Sequence, residues 1–280
     1  MTNKMSWGIT DRIAGFLARA ARILVFLFMV GPLFFVLLMS INPQVGVFPP
    51  HAISATWYQF LLSRSDFRDG LTVSLLLGLS VTLMAVVIGT LCAFPLARVR
   101  FMGRNVLTVI FLSPLIVPEI ASAVALLNFF VLIGVISNRF ESLLIGLTII
   151  AVPYVIRVVT GSLVGFDRSL EESSLNLGAS WAQTTMKITL PLIRPSLLAG
   201  ALFAFQASFT NVTISIFLSS ADVTPLPVVL FSWMRFSFNP SLAAISTLLM
   251  VFTTGLIFTL EKLLGLDKLV GVTSGFSPSI

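Results

Sequence analysis

Six long apolar stretches limit what this chain can become. They run over residues 23–41, 71–97, 106–133, 142–164, 197–218 and 242–264. Each is about long enough to cross a hydrocarbon core as a helix, which takes roughly 20 residues. A helix closes its own backbone hydrogen bonds, so it suits a medium without water. None of the stretches alternates polar and apolar residues as a barrel strand does. Apolar residues are 57% of the chain and charged ones 10%, whereas a soluble domain is nearer a quarter charged. The expected fold is an all-α membrane protein, one transmembrane domain of six helices over residues 1–280.

Composition also excludes functions. The chain has one cysteine, Cys92, and one histidine, His51. That rules out a disulfide framework and a Cys/His metal cluster. No Gly-x-x-x-x-Gly-Lys-Ser/Thr sequence occurs, so the chain has no phosphate-cradling loop of its own. No Gly-x-Ser-x-Gly or His-Glu-x-x-His occurs either. The net charge of +6 fits the basic loops of a membrane protein and gives no reason to invoke nucleic acid. The first stretch is too long for a typical signal core and no Ala-x-Ala follows it, so it is expected to stay as a span.

Orientation follows from the basic residues. Lys4, Arg12, Arg19 and Arg22 precede the first span, and Arg98, Arg100 and Arg104 separate spans two and three. Arg168, Lys187 and Arg194 separate spans four and five, and Lys262 and Lys268 end or follow span six. The alternate intervals hold Arg64 with Arg68, Arg139, and Arg235. This asymmetry predicts that both termini and the interval 167–195 are cytoplasmic. On the outer side, Trp57 and Tyr58 predict a short interfacial helix near residues 57–62, and the apolar run 228–234 predicts a segment folding back to the membrane.

The polar interval 167–195 carries a spaced pattern. Glu171 and Glu172 precede Ser173 and Ser174; Gly178 and Ala179 follow; Ile188, Leu190 and Pro191 close it. Ser169 with Glu172 has capping-box spacing. Gly178 permits a positive φ, residues 181–189 can form a second short helix, and Pro191 and Pro195 limit it. The expected product is a compact helix–turn–helix. This pattern resembles the EAA loop of binding-protein-dependent ABC importer permeases, with serines where that family usually has alanines. The resemblance implies a docking element for a separate ATPase that binds ATP and magnesium, this chain binding no cofactor. It also implies two ATPase subunits, a second permease (a sister chain or another copy) and a soluble solute-binding protein.

Further stretches are similar to the polyamine-type branch of that family. They are residues 203–218, Pro225-Leu-Pro, Met234-Arg-Phe and the run from Asn239-Pro-Ser into span six. Where polyamine permeases tend to carry an acid, within the segment matching 208–211, this chain has Thr210 and Asn211. The implied solute is a polyamine or a related amine. Ferric iron, aminoethylphosphonate, an opine or an amino-acid-like compound stays open. Glu119, Asn128, Gln206, Phe209 and Asn211 are the candidate pathway residues. Glu119 is expected about midway along span three, facing the bundle interior. It is read either as a pathway group or as a carboxylate bonded to backbone that Pro118 frees. An ion-coupled secondary transporter is the other class considered; it would favour several intramembrane ionisable groups and paired repeats, and neither is visible.

Overall fold

The computed structural model describes residues 7–44, 47–134, 139–236 and 241–264. Lys4, Lys268, Asn239 with Pro240, and the tail 271–280 lie outside the described residues. The described residues form helices joined by turns and irregular segments and contain no strand. By length and composition four helices can each cross a membrane, and six crossings result if two bent pairs count as one each.

The helices form two compact units. The first takes the described residues of Met1–Arg64 and of Phe236–Thr253. It holds α1 (Trp7–Ser40), α2 (Thr56–Ser63) and the first part of α13 (Ser241–Leu264). α1 exposes apolar side chains around its circumference, Phe16, Leu24, Phe28 and Phe34 among them. A helix apolar on every side is the form a lipid-facing span takes. α2 forms where a short helix was expected near residues 57–62. Its Trp57 indole donates to the Asn42 carbonyl at 2.8 Å, and Tyr58 donates to the Ser40 hydroxyl at 2.8 Å. Leu61 is buried beneath it.

The second unit takes the described residues of Ser65–Arg235 and those from Thr254 onward. Its core is the packing of α3 (Ser65–Arg98), α6 (Arg139–Gly165) and α10 (Arg194–Phe209). Leu77, Val81, Ala85, Leu147, Ala151, Val155 and Ala204 are buried there. Small residues let these helices approach closely, as they do in lipid, where packing rather than water expulsion holds spans together. At Gly89 an added Cβ would lie 2.7 Å from the Val155 Cβ and 3.3 Å from the Val152 carbonyl oxygen. Gly89→Leu should therefore push α3 off α6, at a cost of about 1–3 kcal/mol. The check is the fraction of detergent-purified protein that stays monodisperse on heating; equal survival of the variant and the parent would contradict this packing.

Two expected spans are broken. The third divides into α4 (Arg104–Leu112), a 3₁₀ turn (Ser113–Leu115) and α5 (Glu119–Leu132), with a 98° bend. The cause is local. Pro114 and Pro118 lack N–H groups, and Pro118 is extended at ψ 128°. The fifth divides into α10 and α11 (Thr213–Leu218), with a break at residues 210–212. Asn211 accepts at Oδ1 from the Ile214 N–H at 2.8 Å, so its side chain restarts the helix. The apolar run 228–234 lies in a helix, α12 (Leu226–Phe236), with Leu226 and Val229 buried. The Ser74 hydroxyl accepts from the Leu226 N–H at 2.7 Å.

Candidate functional site

Residues 167–195 form a helical hairpin beside the end of α3. α7 (Ser169–Asn176) is its first arm. Ser169 does not cap it and no capping box forms with Glu172, contrary to the expectation. Asp167 sits two residues before and accepts the Ser169 N–H at 3.0 Å. That backbone bond, with one from the Ser169 hydroxyl, holds the Asp167 carboxyl below its ordinary range. The real capping box lies at the second arm, where Ser180 and Gln183 cap each other's backbone.

Gly178 joins the arms at φ +87°, in the left-handed region that side chains disfavour. α8 (Trp181–Thr184) then runs into a π-helical turn, Thr185–Thr189. α9 (Leu190–Leu192) follows, and the chain bends 69° into α10. Ile188, Leu190 and Pro191 occupy this exit. The arms are joined by a Ser174–Thr184 hydroxyl pair at 3.0 Å.

The two acids differ in position. Glu171 turns inward, its side chain 18% exposed, and accepts from Arg98 at 2.8 Å and from the Thr189 hydroxyl at 2.7 Å. Arg98 is 13% exposed and its guanidinium also faces the Phe166 ring at 5.4 Å. Arg168 donates to the Ala97 carbonyl at 3.1 Å, and Phe94 meets Trp181 edge to face at 6.2 Å. Phe94, Arg98, Arg168, Glu171, Trp181 and Thr189 line a cleft of about 180 Å³. Glu172 also borders this cleft but is exposed, as are Ser173 and Leu177. Leu177 is 89% exposed, Met186 70% and Trp181 64%. Exposed apolar side chains on a polar hairpin suit a protein contact.

The other candidate residues come together only in part. Glu119 lies in the first turn of α5 and is exposed on this chain rather than turned into its interior. It bonds no freed backbone group at the helix start. Its carboxylate accepts a hydrogen bond from the Asn211 amide, whose residue is 8% exposed. Asn128, further along α5, donates to its own helix at Val124 (2.9 Å). Gln206 is half-buried on α10. Phe209 is buried and stacks on Phe205 at 5.2 Å. Sequence reading missed Arg98 and Thr189 as members of the hairpin site. A signal for Arg98 was present, because an arginine at the end of an apolar span requires an anion if it is covered.

A bundle of apolar helices, two of them broken, with a pinned polar hairpin between spans four and five, is the architecture of an importer's membrane subunit. The family profile of binding-protein-dependent transport system inner membrane components matches residues 85–264, and the chain belongs to that family. It is 30% identical over 231 residues to the putrescine transport system permease protein PotI of Escherichia coli (strain K12), covering 80% of this chain and 82% of that one. It is 29% identical over 241 residues to the spermidine/putrescine transport system permease protein PotC of Haemophilus influenzae, covering 86% and 93%. Its fold is similar to that in the crystal structure of a bacterial ABC transporter that imports alginate. The TM-score is 0.68 at 18% identity, over 99% of each chain. The chain is thus a multi-pass inner-membrane permease subunit of an ABC importer, and ATP hydrolysis resides in a separate subunit. The family works with ATPase and binding-protein partners.

Proposed function

We propose that residues 167–195 dock the ATPase and that Glu119 with Asn211 borders the path of an amine-bearing solute, a polyamine in the first instance. The observation that carries the docking is the division of the hairpin. One face is pinned to α3 through Glu171, while Glu172, Leu177 and Met186 stay open. A rigid hairpin with an open acidic and apolar face moves with whatever grips that face. Two ATPase subunits hold ATP and magnesium, and this chain binds no cofactor. A second permease, a sister chain or another copy, completes the pathway. A soluble binding protein delivers the solute from outside, and both termini lie in the cytoplasm. Residues 1–280 form one permease domain.

The solute class is supported by the names of the relatives and by one contact. The segment 208–211 has no acid of its own, yet Glu119 brings a carboxylate to Asn211 from α5. An ammonium group is the natural partner of a carboxylate held by a neutral amide. Asn128 and Gln206 supply further polar groups along the same helices, and Phe209 shapes the wall behind Asn211.

Two measurements test the docking. Glu172→Lys, placed on the open face, should leave insertion intact and remove binding-protein-stimulated ATP hydrolysis in the purified complex; full stimulation would contradict the docking. Accessibility tags at the N-terminus, in 98–104 and in 171–194 should all report cytoplasm. A periplasmic report from the last of these would end both the orientation and the ATPase contact.

A further inference from the structure

The two acids of the hairpin sit in different surroundings. Glu172 is open to a partner. Glu171 is covered, and it is the meeting point of three elements. Arg98 reaches it from the last turn of α3 at 2.8 Å, and the Thr189 hydroxyl reaches it from the second arm at 2.7 Å. α3 is in turn packed along α6 and α10, the core of its unit. One carboxylate thus ties both arms of the hairpin to α3, a helix of the packed core.

The tie is specific in its chemistry. Arg98 donates to Glu171 through Nη2, while its buried Nε and Nη1 make no hydrogen bond. Phe166 offers the guanidinium a ring face and no acceptor. Glu171 is therefore the anion that compensates a largely covered cation. Loss of either partner leaves the other a covered charge without its counter-charge. Arg168 on the Ala97 carbonyl and Phe94 against Trp181 hold the same two elements together without an ion pair. Those contacts keep the hairpin near α3 when the ion pair is lost, but they do not fix its angle.

We infer that Arg98, Glu171 and Thr189 form a strut that carries displacement of the hairpin into α3, with Glu171 and Arg98 as positioning residues for transport. This rests on the docking reading above. A loop that is merely gripped by an ATPase can swing on its own ends. A loop pinned to a packed span moves that span.

The test uses the assembled transporter in proteoliposomes with its binding protein. Arg98→Ala and Glu171→Ala should each lower binding-protein-stimulated ATP hydrolysis and uptake about tenfold, the scale of a coupling between sites. The double variant should be no worse than either single one, since both remove the same contact. Arg98→Lys should recover most of the loss. Independent, multiplying effects in the double variant would overturn the strut, as would singles with wild-type stimulation. If Arg98→Ala fails to assemble, Thr189→Val keeps the shape and removes one donor to Glu171. It should cost about threefold, and unchanged stimulation there overturns the strut too. Glu172→Lys separates the two readings. If it also leaves stimulation intact, the docking has failed. If it alone abolishes stimulation, only the strut has.

Discussion

Gly178→Val should insert and assemble, yet lose at least about tenfold in binding-protein-stimulated ATP hydrolysis and uptake. The reason is conformation and not crowding. Gly178 sits at φ +87°, and an added Cβ would meet no atom within 4 Å. A β-branched residue there must leave the left-handed region or carry strain of about 1–3 kcal/mol. Leaving it swings the second arm, and with it Trp181 and the capping box at Ser180. The effect should therefore follow φ tolerance. Gly178→Asn should be mildest, because asparagine accepts this region best after glycine. Gly178→Ala should lie between, although alanine is the smaller side chain. Stimulated hydrolysis by the three reconstituted variants decides the matter. A loss ordered by side-chain size, with asparagine worse than alanine, would show that Gly178 is needed for space at a partner surface.

How much of this site the sequence disclosed depends on the range of each interaction. Gly178 was legible because a helix-terminating glycine acts on its own backbone. The helix α2 was legible because Trp57 and Tyr58 follow a proline-containing stretch between two apolar runs. Hydropathy found the apolar segments but not their breaks, since a window average is blind to where one backbone group loses its partner. The prolines at 114 and 118 were visible, yet counting depth along a straight span put Glu119 in mid-bundle. The 98° bend moves it to a helix start. The break at Thr210 had no proline to announce it. Asn211 makes it, through a side chain that substitutes for backbone at Ile214. The cap at Ser169 was misread because Asp167 and Ser169 offer competing frames two residues apart. The inward turn of Glu171 was out of reach. Adjacent helical residues point about 100° apart, and the phase that selects Glu171 over Glu172 is set by Arg98, 73 positions away.

Glu119 offers the sharpest test of the pathway and of its solute. Its carboxylate meets the Asn211 amide, and Asn211 at once restarts α11 through Ile214. Glu119→Leu should strand the buried Asn211 amide, costing about 1–3 kcal/mol for an unsatisfied group. The break between α10 and α11 should loosen, lowering both assembly and uptake. Glu119→Gln keeps an oxygen for Asn211 and removes only the charge, so assembly should match the parent. For an amine solute, a charged acceptor exceeds a neutral one by about 1 kcal/mol, or roughly fivefold in rate. Putrescine uptake into proteoliposomes should fall by about that factor in Glu119→Gln, while ATP hydrolysis stimulated by the binding protein stays at the parental level. Equal uptake by Glu119→Gln and the parent would remove Glu119 from the solute's path. Its carboxylate would then serve only to hold Asn211, and the case for a cationic solute would rest on the relatives alone.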